Sequence, residues 1–525
     1  MKLKLGRRFS HPRMRLVLLP CTILGTFACG SSSSNQPEEP EQTAEEGLPS
    51  SGGMGGASNS QGSQQNQPDP TETTNAEDDC ASGFYGEECL PVTTLCVHGV
   101  ANDGRAGDGN CSCGPGWQGA SCEQLVAVRD YSVSEDIFCV VSNQGKLLCR
   151  GDDKDGTLGN PEIDSPTATL THILSSENVY RVAAGRDSVC AVTENGQAYC
   201  WGENDSGQLG AGYLSEEEQE PVLVVGGPAA GWRDIFSGDA TTCGLGRDDS
   251  LWCWGNNSAG EVGVETSEED FPSGHVTTPQ EVAPGTSWLD VEVHYDATCG
   301  IQTDGSLWCW GEDDDGQIGL LEENGNVYEP VQVGTEKDWV DFQSGSEQEG
   351  GCATKRDRSL WCWGENADGS LGLGTFIDDI WGPTLVENAL WLAFDLDEDL
   401  SCGVQMDGSL WCAGENRFGQ LAKGFASTAR ADSSATYTQI GSENDWVNVE
   451  VETDCIFALK ENGELYVWGE GYKPSLGFTL DPPVHTTALP SQVVGGLRAE
   501  SLSSAFNEDL ACASGDEKEA YCWGN

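Results

Sequence analysis

Positive charge is nearly missing from this 525-residue sequence, which has 26 Lys and Arg against 86 Asp and Glu. Six of those basic residues (Lys2, Lys4, Arg7, Arg8, Arg13 and Arg15) precede Leu16. Without that segment 20 basic residues face 86 acidic ones, a net charge of −66. Such a surface repels phosphate backbones and anionic lipid, which excludes nucleic acid as a partner and leaves a lipid anchor as the only route to a membrane. Histidine is scarce too. His11, His98, His172, His275, His294 and His485 are scattered without triad or metal-ligand spacing. No Gly-x-Ser-x-Gly elbow, Walker loop or His-Glu-x-x-His motif occurs. Carboxylate pairs are so many at this acidity that none stands out as a catalytic dyad. The expectation is a non-catalytic chain that needs no cofactor.

Long apolar runs are also lacking. The longest near the N-terminus, LVLLPCTILGTFA after the basic stretch, is too short for a stable transmembrane anchor. It leads to Cys29 and then to GSSSSNQPEEPEQ. Small and apolar residues before a cysteine, with a polar stretch after it, resemble a bacterial lipoprotein signal. Residues 1–29 then read as a signal peptide with Cys29 as the lipidated residue. Simple secretion is the alternative. Residues 30–79 contain no aromatic residue and are rich in Ser, Gly, Gln, Pro and Glu. That composition cannot offset the entropy of ordering, so the segment reads as a flexible linker.

What is abundant is cysteine, 23 in all. Six fall between residues 80 and 122 with almost no apolar core: Cys80, Cys89, Cys96, Cys111, Cys113 and Cys122. In an exported chain this reads as a small disulfide module over 80–124. Its tail, CSCGPGWQGASC, resembles the end of an epidermal-growth-factor-like module, which implies a bond between Cys113 and Cys122. The remaining connectivity stays open, and a zinc site is the competing reading.

The other cysteines recur in pairs. CVVSNQGKLLC (139–149), CAVTENGQAYC (190–200), CGLGRDDSLWC (243–253), CGIQTDGSLWC (299–309), CATKRDRSLWC (352–362), CGVQMDGSLWC (402–412) and CASGDEKEAYC (512–522) share one pattern. An eighth copy, FALKENGELYV (457–467), has lost both cysteines together. The copies start 51, 53, 56, 53, 50, 55 and 55 residues apart. Short strands at a period near fifty mark a β-propeller.

The spacing has a geometric cause. Centred on its middle residue, each copy is a hairpin with a three-residue loop such as Glu194-Asn195-Gly196, and glycine falls where a left-handed residue is needed. Pairing outward from the loop places Cys190 opposite Cys200, close enough to bond. The same holds for Cys139 with Cys149, Cys243 with Cys253, Cys299 with Cys309, Cys352 with Cys362, Cys402 with Cys412, and Cys512 with Cys522. Cys455 is left over, either as a buried inert thiol or as a site of intermolecular bonding.

In LWCWG the cysteine points one way and both tryptophans the other, as in a sheet packed on both faces. Trp232, Trp288, Trp339, Trp391 and Trp446 precede the hairpins on an inner strand. A P-x-x-V signal beginning at Pro221, Pro279, Pro330 or Pro383 marks a fourth strand. The last unit stops at Asn525 without one, and residues 125–129 are expected to supply it.

VAAGRDSVCAVTENGQAYCWGENDSGQLGAG (182–212) closely resembles the regulator of chromosome condensation repeat, and the likeness extends over 130–525. The resemblance implies an all-β propeller over 125–525. Eight repeat units predict eight blades, whereas members of the family usually have seven. The nuclear member's partners, histones, DNA and a small GTPase, do not suit an exported chain of this charge. A plant photoreceptor of the family uses clustered tryptophans, but packing already accounts for those here. A secreted bacterial member inhibits β-lactamases through its loop-lined face and is the closer precedent.

The weak metal candidate is EDDDGQIGLLE (312–322), where Asp313, Asp315 and Glu322 fall at calcium-ligand positions around Gly316. Other units carry ENDSG, NNSAG and ENRFG in that slot, which makes it a turn that happens to be acidic. The sequence therefore predicts a binding or adhesion module on the bacterial outer membrane or cell surface. Its partner is an extracellular or envelope protein, with glycans second. The contact lies in the varying loops at 212–230, 264–287, 320–338 and 424–445, where Tyr213, Phe271, Tyr328, Trp381 and Tyr437 are candidate exposed aromatics. A propeller-based hydrolase or lyase is the rival, and it requires His, Arg and carboxylates to converge at one mouth of the ring.

Overall fold

A computed structural model describes residues 127–470, apart from 135–136, 163–166, 266–273, 295, 322–324, 345–349, 378, 387–388, 398, 428–431 and 453–454. Beyond that span only strand segments are described, without their side chains except at 488–491. The expectations for Cys29, the linker 30–79, the cysteines of 80–122, Phe271 and Glu322, and the Cys512–Cys522 bond, lie outside the described residues. Among the described residues no helix is long and apolar enough to cross a membrane.

The repeats fold into a propeller-like succession of antiparallel sheets, each meandering from a first to a fourth strand. The second sheet is typical: Val179–Ala184, Ser188–Thr193, Ala198–Glu203 and Glu217–Leu223. The third repeats it as Trp232–Ser237, Thr241–Gly246, Leu251–Asn256 and His275–Val282. All eight hairpins fall on sheets of their own, and the final sheet comprises Ala499–Ser504, Leu510–Gly515 and Ala520–Gly524. First strands of successive sheets lie beside one another and wall the centre.

Each hairpin register is as its loop dictates. Cys190 pairs directly with Cys200, Cys243 with Cys253 and Cys402 with Cys412. Among the described residues six of these hairpins carry a disulfide, each with Cα atoms 4.1 Å apart. Phe457 faces Val467 in the same slot, so an apolar pair replaces the bond there. Cys512 and Cys522 share that register. Glycine takes the left-handed turn position at Gly196 (φ 88°) and Gly305 (φ 87°). Where the sequence offers none, Asp249 (φ 65°) and Arg358 (φ 73°) take it instead.

Tryptophan joins one sheet to the next. Among the described residues, the tryptophan that follows the third-strand cysteine, or Val467, is fully buried, and its indole N–H donates to a backbone carbonyl in the turn of the preceding sheet. Trp201 reaches Thr157 (2.8 Å), Trp254 reaches Gln208 (2.8 Å), Trp310 reaches Glu261 (2.8 Å), Trp363 reaches Gln317 (3.0 Å) and Trp468 reaches Gln420 (2.7 Å). The sixth sheet has Ala413 at that position. There Tyr437, from the fourth strand Ser434–Gln439, fills the space with its ring against Gly372. Its hydroxyl lies 2.8 Å from Ser401 Oγ, which donates to the Ser370 carbonyl in the equivalent turn.

Two expectations are corrected. Residues 127–129 do not complete the last sheet; they open Ala127–Val133, the first strand of the first sheet, which pairs with Ile137–Ser142. The apolar alternation of AVRDYSV ahead of a hairpin suits an inner strand, the same role Trp232–Ser237 plays two sheets later. Cys455 is neither a free thiol nor left for another molecule, because it is disulfide-bonded. Every other described cysteine is paired within its own hairpin, so its partner lies outside the described residues.

Candidate functional site

Three surfaces follow from this topology: the central wall and the two faces. On the wall, the first strands of the third to seventh sheets open with a buried tryptophan and are bulged just after it, as between Trp232 and Asp234. The bulge re-aims the next side chains, so Ile235 and Val291 enter the core while Asp234 and Asp290 are only partly covered. Arg181 stands between Asp130 (3.3 Å) and Asp234 (3.6 Å), and Asp130 also accepts the Val182 N–H at 2.9 Å. Burial opposes the charge of Arg181, but the two carboxylates outweigh it and raise its pKa. Burial pushes Asp234 up to about 6 against the pull of Arg181. Further round, Glu450 is raised to about 8 by burial and keeps an Asn448 hydrogen bond of 3.0 Å. Asp395 is raised by burial and by Glu450, and it accepts the Val451 N–H at 2.7 Å.

The hairpin turns and the fourth-to-first connections share one face. Its cations are paired across neighbouring segments: Arg129 with Glu194 (2.7 Å), Arg233 with Asp249, Lys337 with Asp304, Lys355 with Glu336 (3.4 Å) and Lys460 with Asp445 (2.9 Å). The opposite face carries the first-to-second and third-to-fourth connections. There the third strand ends in a carboxylate beside the preceding loop, because the backbone N–H of Glu203 donates to the Asp187 carbonyl and that of Glu415 to the Asp399 carbonyl (both 2.8 Å). Asp368, Asp399 and Glu415 bring three carboxylates within 4.8 Å of one another. Burial and then Asp205 and Asp187 lift Glu203 to about 7. Burial and Asp239 raise Asp296, and burial raises Glu415 despite Arg417 at 3.2 Å.

A buried asparagine in the next position, after Glu203, Glu365 or Glu415 and after Asn256 in the third sheet, shapes the loop beyond it. The Oδ1 atoms of Asn204, Asn257, Asn366 and Asn416 accept the N–H of Leu209, Val262, Leu371 and Leu421. Their Nδ2 groups donate forward to the carbonyls of Tyr213, Val264, Thr375 and Phe425, at 3.0–3.1 Å. Each loop is thereby folded back. Tyr213, Leu214, Leu321, Phe376, Ile377 and Phe425 are exposed on these loops. The asparagines look like generic turn residues in sequence, so this arrangement was not anticipated; its trace is the recurrent G-E-N following C-W or C-A.

The structure places Asp313 in the buried asparagine slot and Asp315 on the turn, where its N–H donates to Gln317 Oε1 at 3.0 Å. Ser206 and Phe418 make the same contact with Gln208 and Gln420, as a structural turn requires. None of the four expected loop stretches is a single loop. The fourth strands Glu217–Leu223, His275–Val282 and Val327–Gln332 cross 212–230, 264–287 and 320–338, and Ser434–Gln439 crosses 424–445, so each stretch serves both faces. Among the aromatics, Tyr213 is exposed on its loop. Tyr328 and Trp381 instead lie half-buried on fourth strands, and the Tyr328 hydroxyl donates to the Ser258 carbonyl at 3.0 Å. Tyr437 is half-buried, with its hydroxyl turned inward toward Ser401, and burial pushes its phenol up to about 12, because it replaces the missing tryptophan.

Residues 179–208, 232–261, 195–245 and 304–348 match the regulator of chromosome condensation (RCC1) repeat. Those segments are similar to RCC1 repeats. Similar curated proteins include human E3 ubiquitin-protein ligase HERC2, 30% identical over 241 residues covering 45% of this chain and 5% of that protein. Ultraviolet-B receptor UVR8 of Arabidopsis thaliana is 25% identical over 261 residues, 48% of this chain and 56% of the receptor. This chain therefore spans little more than half of one and a small part of the other. Among solved structures, human WBSCR16 has a TM-score of 0.53 at 16% identity, covering 69% of this chain and 97% of that one. Prp20p from Saccharomyces cerevisiae has a TM-score of 0.52 at 18% identity, covering 74% and 94%. At such identities the likeness to these structures shows the fold alone.

Proposed function

We propose that this protein is a non-catalytic, exported binding module, held at the bacterial cell surface through Cys29, with a protein as its ligand. The observation that carries the reading is the contrast between constant hairpins and varied loops. Hairpins, disulfides and tryptophan contacts repeat from sheet to sheet, while the loop tips differ in length and side chain, as Tyr213, Leu321, Ile377 and Phe425 do. A scaffold that fixes its frame and varies its loops is suited to recognition. The Prp20p structure is described by its binding to Gsp1p and histones, which fits a ring used as a protein-binding surface. The blade number belongs to the same proposal: eight hairpins on eight sheets make an eight-bladed ring, with the epidermal-growth-factor-like module and linker ahead of it.

A pull-down from envelope extract with the purified full chain, with and without calcium, tests the binding role. A discrete protein retained by the ring supports it; an empty bead, reproducibly, favours a bare scaffold. One observation favours an enzyme as the second reading, namely Arg181 between Asp130 and Asp234 on the central wall. Hydrolysis or elimination on an anionic glycan that is abolished by Arg181→Gln in an otherwise folded protein would put that reading first.

A further inference from the structure

We propose that the face built from the third-to-fourth loops docks a cationic amphipathic segment of a partner protein, its apolar side chains seated on the loop tips and its lysines or arginines over the carboxylates. The inference rests on the protein-binding reading and adds the face and the chemistry of the occupant.

Large apolar side chains stand in solvent on this face at corresponding places in the repeat. Leu321 is 84% exposed, Ile377 60%, Phe425 46% and Tyr213 45%. Their position is imposed, because in three of these units the loop is pinned by the buried Asn204, Asn366 or Asn416. A pinned tip does not fold inward to hide its apolar group, and a row of such tips over adjacent sheets marks an interaction surface.

In those three units Glu203, Glu365 or Glu415 directly precedes the asparagine. Phe376 packs at Gly369, next to Asp368, which joins Asp399 and Glu415 in one cluster. Ion pairs occur on both faces. The hairpin face pairs its acids with Arg and Lys from neighbouring segments. On the loop face Arg186 lies near Asp187 (3.7 Å) and Asp239 (3.5 Å) and Arg417 beside Glu415 (3.2 Å), but acids outnumber cations; burial raises Glu203, Asp296 and Glu415, with Asp205 and Asp187 adding to it at Glu203 and Asp239 at Asp296. An occupant must supply cations and apolar groups close together. Anionic lipid fails on charge, and a purely polar polycation leaves the apolar tips uncovered.

The test uses the full chain and a synthetic peptide alternating lysine and leucine, with a lysine–serine peptide of equal charge and a glutamate–leucine peptide for comparison. Fluorescence anisotropy at low and high salt is expected to show saturable binding of the lysine–leucine peptide alone. Phe376→Ser with Ile377→Ser and Phe425→Ser is expected to weaken it about tenfold, and so is Asp399→Asn with Glu415→Gln. Leu390→Ser with Met406→Ser, on exposed residues of the hairpin face, is expected to leave it unchanged; unaltered melting temperatures confirm that all variants fold. Equal binding of the lysine–serine peptide, equal loss on the hairpin face, or no binding would overturn the proposal. If the envelope partner from the pull-down is still held by both loop-face variants, this inference fails while the binding role stands.

Discussion

At the scale of single residues, the repeat is most informative where a unit breaks it. Arg358 holds the left-handed turn position that glycine fills elsewhere, a conformation that costs a side chain free energy. Arg358→Gly should therefore raise stability by about 0.5–1 kcal/mol, the balance of relieved strain and added chain entropy, seen in thermal unfolding. Gly403→Ala should do the reverse. A Cβ there would lie 2.5 Å from the Trp391 ring, and overpacking of that kind costs about 1–3 kcal/mol. Asp313 occupies the slot where asparagine elsewhere donates to its loop, a donation a carboxylate cannot make. Asp313→Asn should stabilise by about 1 kcal/mol, with slower amide exchange in residues 314–321 as the specific readout.

At the scale of elements, hairpins and sheet-to-sheet contacts are separable. Each disulfide closes a short loop within one hairpin, so removing one by a paired Cys→Ser change should cost no more than about 3 kcal/mol and leave neighbouring sheets protected from exchange. Tyr437 acts between sheets. Tyr437→Phe should cost about 1 kcal/mol by removing the hydroxyl from the Ser401–Ser370 chain, whereas Tyr437→Ala should cost about 3–5 kcal/mol through the cavity it opens. If both variants behaved alike, the hydroxyl would have no part in the joint. The hairpins were legible because strand alternation and turn chemistry are local to eleven residues. Tyr437 was not, since its role depends on Ala413 in the same sheet and a turn in the preceding one.

At the scale of the whole molecule, acidity is unevenly borne. Glu450, ordinarily near 4.5, is lifted to about 8 by burial, and Asp395 is lifted by burial and by Glu450 itself. Groups raised in the fold favour it when protonated. The stability they confer is complete below 4.5 and is lost as pH rises through about 8. The melting temperature should fall across that window, and Glu450→Gln, which keeps an oxygen for Asn448, should flatten the fall. A melting temperature independent of pH in the wild type would contradict it. The family resemblance, the hairpin pairs and the fourth strands at Pro221, Pro279, Pro330 and Pro383 could be read along the chain. Residues 127–129 were misplaced because a strand's own alternation does not say which sheet it joins.

The sequence by itself determined the repeating hairpin, its cystine and its tryptophans, since these follow from spacing within a few residues: a period of two along a strand and a left-handed turn at its tip. The tertiary structure decided where charge is cancelled and where it is left. Arg129 meets Glu194 and Arg181 meets Asp130 only because successive sheets stand side by side, across about one repeat of sequence. The loop face keeps its acids and its exposed apolar tips together for the same reason: buried asparagines fold each loop back onto the strand end, which bears a carboxylate at Glu203, Glu365 and Glu415.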